Sequence, residues 1–170
     1  MAVHFPIALL TFYAVLEIIS FKRLRALPYW WYLKAVLVIA GAISAFATRQ
    51  TGEMIEHDFA YVRNVVEVHA LWATITTAVF AVLAICYLIV WISEAYPAEL
   101  ARHIRLAKLW KLLMPVQRFV LRRPVSVLLA ACGLVAITIT GALGGAISSG
   151  PDVDPVVKVV YQIFIGSTQK

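Results

Sequence analysis

Charge is scarce in this chain. Aspartate, glutamate, lysine and arginine together make up 14% of its residues, against about a quarter in soluble domains. That shortage excludes an ordinary water-soluble fold. Cysteine is scarcer still. Cys86 and Cys132 are the only two, both inside apolar runs and without C-x-x-C spacing. A disulfide framework is excluded, and both thiols are expected to be buried as small hydrophobes. The sequence has no Walker loop, dinucleotide fingerprint, nucleophile elbow or H-E-x-x-H, which disfavours a conventional hydrolase or kinase. It has no nucleic-acid motif. No basic n-region precedes the first apolar run and no A-x-A-like site follows it, so that run reads as a retained helix rather than a cleaved signal peptide. Internal repeats are not evident, and a transporter built on four spans would need a homo-oligomer.

What the chain has is apolar length. Of its 170 residues, 62% are hydrophobic, and the mean hydropathy is +0.86. Four stretches, near 3–21, 29–47, 68–92 and 125–147, are long enough to cross about 30 Å of hydrocarbon at about 1.5 Å per residue. They are continuous rather than alternating, and a span must satisfy its own backbone bonds, so helices are predicted and strands are not. The expected fold class is all-α: residues 1–170 form a single four-helix transmembrane bundle.

The charges are sorted by side. Eleven of the fifteen Lys and Arg residues lie between spans one and two, at Lys34, or between spans three and four. The opposite face holds Arg49, Arg63, Lys158 and Lys170 against Glu53, Glu56, Asp58, Glu67, Asp152 and Asp154, a balance of −2. The positive-inside rule makes the basic face cytoplasmic and both termini extracytoplasmic. The net charge of +6 then reflects topology and contact with anionic lipid, not a nucleic-acid footprint. Pro97 to Met114 reads as an amphipathic helix at the cytoplasmic surface, with His103 exposed on it and Pro115 ending it. On the outer side Thr51-Gly52 is expected to break the chain, with a short helix from Glu53 to about Asn64. Gly150-Pro151-Asp152 should stop span four, and Asp154 should cap a last helix that opens with Pro155.

The polar residues inside the apolar runs are few. Glu17 lies in span one and is expected to pair with Lys34 at similar depth. Tyr29, Trp30, Trp31 and Tyr32 form an aromatic belt. Thr74, Thr76, Thr77, Thr138 and Thr140 are expected to bond back to a helix or across to a neighbour. The histidines carry more. His4 opens span one, His69 opens span three, and His57 lies in the loop between. All three belong to one face, and neutral imidazole is the commonest metal ligand and a common haem ligand.

A bis-histidine b-type haem needs two facing imidazoles, and His4 and His69 are the natural pair, each in the first turn of its span. Small residues must admit the ring. Gly41, Ala42, Ser44 and Ala45 on span two, and Gly141, Gly144 and Gly145 on span four, are the candidates. Phe5 and Trp72 are placed to wall the pocket. Such a haem would pass electrons between an extracytoplasmic redox protein and quinone in the outer leaflet. The alternative cofactor is a metal. His4, His57 and His69 with Glu53 or Glu56 suit Zn, Cu or Fe by ligand type, although the spacing fits no standard zinc motif. Glu53, His57 and Tyr61 recur every fourth residue and would share a helix face. The third reading needs no cofactor. In a scaffold or accessory subunit the histidines fix helix ends and the small residues allow close packing.

The run His4-Phe5-Pro6-Ile7-Ala8-Leu9 opening a span resembles the start of a bacterial family of small four-helix membrane proteins, domain of unknown function 2231. Thr51-Gly52 followed by Glu56-His57, His69 at the third span, and Gly144-Gly145 near the end of the fourth are similar to it as well. The resemblance covers nearly the whole chain. It implies a multi-pass protein of the bacterial inner membrane, and the redox modules joined to some relatives imply electron transfer by analogy.

Overall fold

The computed structural model describes residues 4–19, 22–54, 63–97 and 104–166. Among these residues every regular element is a helix and no strand occurs. The order is α1 (His4–Ile18), α2 (Lys22–Arg25), α3 (Trp30–Met54), α4 (Arg63–Ala95), α5 (Ile104–Val120), α6 (Arg123–Ser149) and α7 (Pro155–Phe164). Three of them, α3, α4 and α6, are long and apolar enough to cross a membrane. Helix α1 is apolar but has 15 residues, about 22 Å of rise against about 30 Å of hydrocarbon.

Four helices pack in a ring. Helix α1 lies against α3 and α6, α3 against α4, and α4 against α6, so α1 and α4 face each other diagonally. Packing is closest where a glycine admits a side chain. A Cβ on Gly41 would come within 2.5 Å of Leu10, and one on Gly133 within 2.7 Å of the Phe80 ring. The ring's centre is aromatic. Tyr13 of α1 meets both Phe80 and Tyr87 of α4 edge-on, with centroids 6.2 and 6.0 Å away. Tyr13, Phe80, Leu10, Leu83 and Leu143 are wholly buried. The outer surface is also apolar, with Phe12, Ile43, Phe46, Leu71, Ile85 and Leu128 more than half exposed. A bundle apolar within and without suits a hydrocarbon solvent rather than water.

Helix ends depart from expectation in two places. Helix α3 continues through Thr51 and Gly52 to Met54. Gly52 is exposed, and a mid-helix glycine costs only about 1 kcal/mol, while the Thr51 hydroxyl donates to the Thr48 carbonyl within the helix. Helix α5 likewise runs past Pro115 to Val120. Beyond the proline, Gln117 and Val120 are buried, and before it Trp110 Nε1 donates to Ser93 Oγ at 2.6 Å. Packing on both sides of Pro115 holds the helix together across the lost backbone bond. Two other boundaries fall as the sequence indicates. Helix α6 ends at Ser149, before Gly150 at φ 90°. Asp154 Oδ1 accepts from Val156 N at 2.7 Å and caps α7. Helix α7 packs on α6 through Val157 and Val160 and leaves Val156, Val159 and Ile163 exposed. The expected helix over residues 53–64 falls mainly on 55–62, outside the described residues, as does His103.

Candidate functional site

Two polar sites interrupt the apolar bundle, one at each end. At the acidic end stands His69, in the second turn of α4. It is half-buried, and its Nδ1 lies 3.0 Å from the Thr140 carbonyl oxygen of α6. A carbonyl only accepts, so Nδ1 carries the proton and the neutral ring keeps a lone pair on Nε2. The ring rests on α6 where Gly144 makes room: a Cβ there would lie 3.3 Å from His69 Cε1. Two turns along α4 from His69, Thr76 and Thr140 join the same two helices by their hydroxyls at 3.2 Å. Glu67, two residues before His69, accepts from Arg63 at 3.0 Å.

Below His69 the seam between α4 and α6 opens into an apolar groove of about 390 Å³, where Trp72, Ile75 and Val79 face Ala131, Cys132 and Val135. Cys132 is therefore exposed, whereas Cys86 is buried. The expectation that both thiols are buried holds for one of them, because Cys132 falls on the outward side of α6. Trp72 also packs edge-on against Phe164 of α7, with centroids 5.4 Å apart. Gly145 receives Val157 of α7, and Gly141 has no neighbour within 4 Å of a would-be Cβ.

His4 is exposed and lies on α1, diagonal to α4. Tyr13 lies level with the stretch between Phe80 and Tyr87. Phe5 is exposed beside His4. Glu56 and His57, and the side chain of Glu53, lie outside the described residues. Among the described residues no three His, Cys, Asp or Glu side chains gather as a metal-ligand group.

At the basic end Glu17 is buried and fully engaged. Lys34 Nζ donates to its Oε2 at 2.6 Å, and Ser126 Oγ donates to its Oε1 at 2.6 Å. Three helices, α1, α3 and α6, are thereby tied together. The Lys34 partner was legible from depth. Ser126 was not, although a serine two residues inside an apolar run that follows Arg123-Pro124 was a signal. Trp31 lies near Tyr87 and Trp91, while Tyr29 and Tyr32 are exposed as a belt would be and Trp30 is buried. Above the Glu17–Lys34 pair opens a cavity of about 200 Å³, lined also by Arg25, Arg123, Trp31 and Leu121.

No family model, no curated protein and no solved structure matches this chain. The resemblance to domain of unknown function 2231 stands on the quoted motifs.

Proposed function

We propose that this chain is a four-span integral protein of the bacterial inner membrane, with both termini outside, that holds one b-type haem through His69 and passes single electrons near the outer face. The observation that carries the reading is the His69 imidazole. Its Nδ1–H is committed to the Thr140 carbonyl, the arrangement that fixes a ligating histidine and leaves Nε2 for iron. The apolar groove that begins one turn away, between Trp72 and the small residues Ala131 and Cys132, offers a flat edge-on seat for a tetrapyrrole or for the quinone that exchanges electrons with it. His4 is the proposed second axial ligand, with His57, twelve residues before His69 in the chain, as the alternative. The acidic outer face tolerates a ferric centre and suits a periplasmic redox partner.

The test is a reduced-minus-oxidised visible spectrum of detergent-purified protein from haem-replete cells. A Soret shift with sharp α and β bands, lost in His69→Ala and His4→Ala but retained in His57→Ala, is the expected result. A colourless protein rejects the reading. One observation favours the scaffold alternative: the Gly144 gap is filled by the His69 ring itself, as in a packing contact. A scaffold predicts no bound iron in any variant. Zn, Cu or Fe bound by His4, His57, His69, Glu53 and Glu56 predicts metal by elemental analysis without a Soret band.

A further inference from the structure

The cavity at the basic end has no part in that redox reading. Its floor is the Glu17–Lys34 pair, joined at 2.6 Å and so already neutral as a unit. Its walls are Trp31, Tyr87 and Leu121. At its rim stand two guanidiniums, Arg25 from α2 and Arg123 from α6, and neither has an ion-pair partner among the described residues. Both are exposed, and they come from helices far apart in sequence. The opening therefore has two positive charges with no counter-ion among the described residues, above an apolar and aromatic interior.

We propose that this cavity binds a phosphate-bearing anion, with Arg25 and Arg123 gripping the phosphate oxygens. Guanidinium is the group best matched to phosphate, through paired charge-assisted hydrogen bonds. The volume, about 200 Å³, lies below the roughly 300–1,000 Å³ of pockets for drug-sized ligands. It suits a phosphoglycerol headgroup or a small phosphate ester and excludes a nucleotide. An anionic phospholipid in the adjoining leaflet and a soluble ester share this chemistry, and the two are separable by experiment.

The full-length protein in a zwitterionic detergent is titrated with short-chain phosphatidylglycerol, short-chain phosphatidylcholine and glycerol 1-phosphate, following its thermal unfolding midpoint. Phosphatidylglycerol is expected to stabilise it in preference to phosphatidylcholine. Arg25→Gln/Arg123→Gln should weaken that binding roughly thirtyfold, whereas Lys108→Gln/Lys111→Gln, which removes equal charge from exposed positions of α5, should change it less than about threefold. Glycerol 1-phosphate acting as well as the lipid identifies a soluble ester as the natural source. Action of the lipid alone identifies the headgroup. Equal losses in the two double variants, or no preference for phosphatidylglycerol and no effect of glycerol 1-phosphate, would overturn the proposal. Helical circular dichroism of each variant checks that its fold is intact.

Discussion

Removing Lys34 should destabilise the bundle far more than removing Lys34 and Glu17 together. Their side chains are 13% and 6% exposed, and their charges meet at 2.6 Å. Lys34→Met leaves the Glu17 carboxylate among helices with Ser126 as its remaining donor. A stranded buried partner of this kind typically costs about 3–5 kcal/mol. For a chain of this size the unfolding midpoint should fall on the order of 10 °C. Glu17→Leu/Lys34→Met removes both charges and leaves the Ser126 hydroxyl, whose exchange of one acceptor for another costs about 1 kcal/mol. Most of the lost stability should return. The assay is thermal unfolding in a fixed detergent, followed by circular dichroism and closed as a double-mutant cycle with Glu17→Leu alone. A double variant no more stable than Lys34→Met would refute the reasoning, because the cost would then lie in packing rather than in an unpaired charge.

Two further outcomes follow from the geometry. Gly133→Ala drives a methyl into the wholly buried Phe80 ring, 2.7 Å away, and should lower stability by about 1–3 kcal/mol. Gly141→Ala meets no atom within 4 Å and should be neutral or stabilising by up to about 1 kcal/mol from helix propensity; thermal unfolding of the two variants side by side checks both. Lys158, hydrogen-bonded to Asp152 at 2.9 Å, titrates above its ordinary range, because that bond and then the nearby charge favour the ammonium. On the basic side, their pairing is lost as pH rises through the Lys158 titration. Asp152→Asn should move that titration back down, as followed by the Lys158 side-chain resonance; an unmoved titration would show that the pair does not form in solution.

The helices were legible because apolar length is a strong signal. Cores of α3, α4 and α6 fall on the runs near 29–47, 68–92 and 125–147, and the ends alone shift. Local rules set those ends wrongly where packing outweighs them. Pro115 and Gly52 are breakers in isolation, yet buried Gln117 and Val120 carry α5 past the first, and nothing opposes α3 at the second. The Glu17–Lys34 pair was legible because two charges at one depth in an apolar bundle need each other. Its third member, Ser126, sits 109 residues away from Glu17 and needs the ring order of the helices to be found. The histidines show the same limit. Sequence placed His4 and His69 each at the start of a run, but axial register depends on how α1 and α4 pack through Tyr13, Phe80 and Tyr87. The bond from His69 runs to a backbone carbonyl, which any residue at position 140 would provide, so no side chain announced it.

The central claim is that His69 is a ligand rather than a packing group. A reduced-minus-oxidised visible spectrum of the wild-type protein beside His69→Ala tests it most directly. A Soret shift with resolved α and β bands is expected in the wild type and none in the variant, with circular dichroism unchanged. A wild-type protein without a haem spectrum, or one whose spectrum survives His69→Ala, would contradict it.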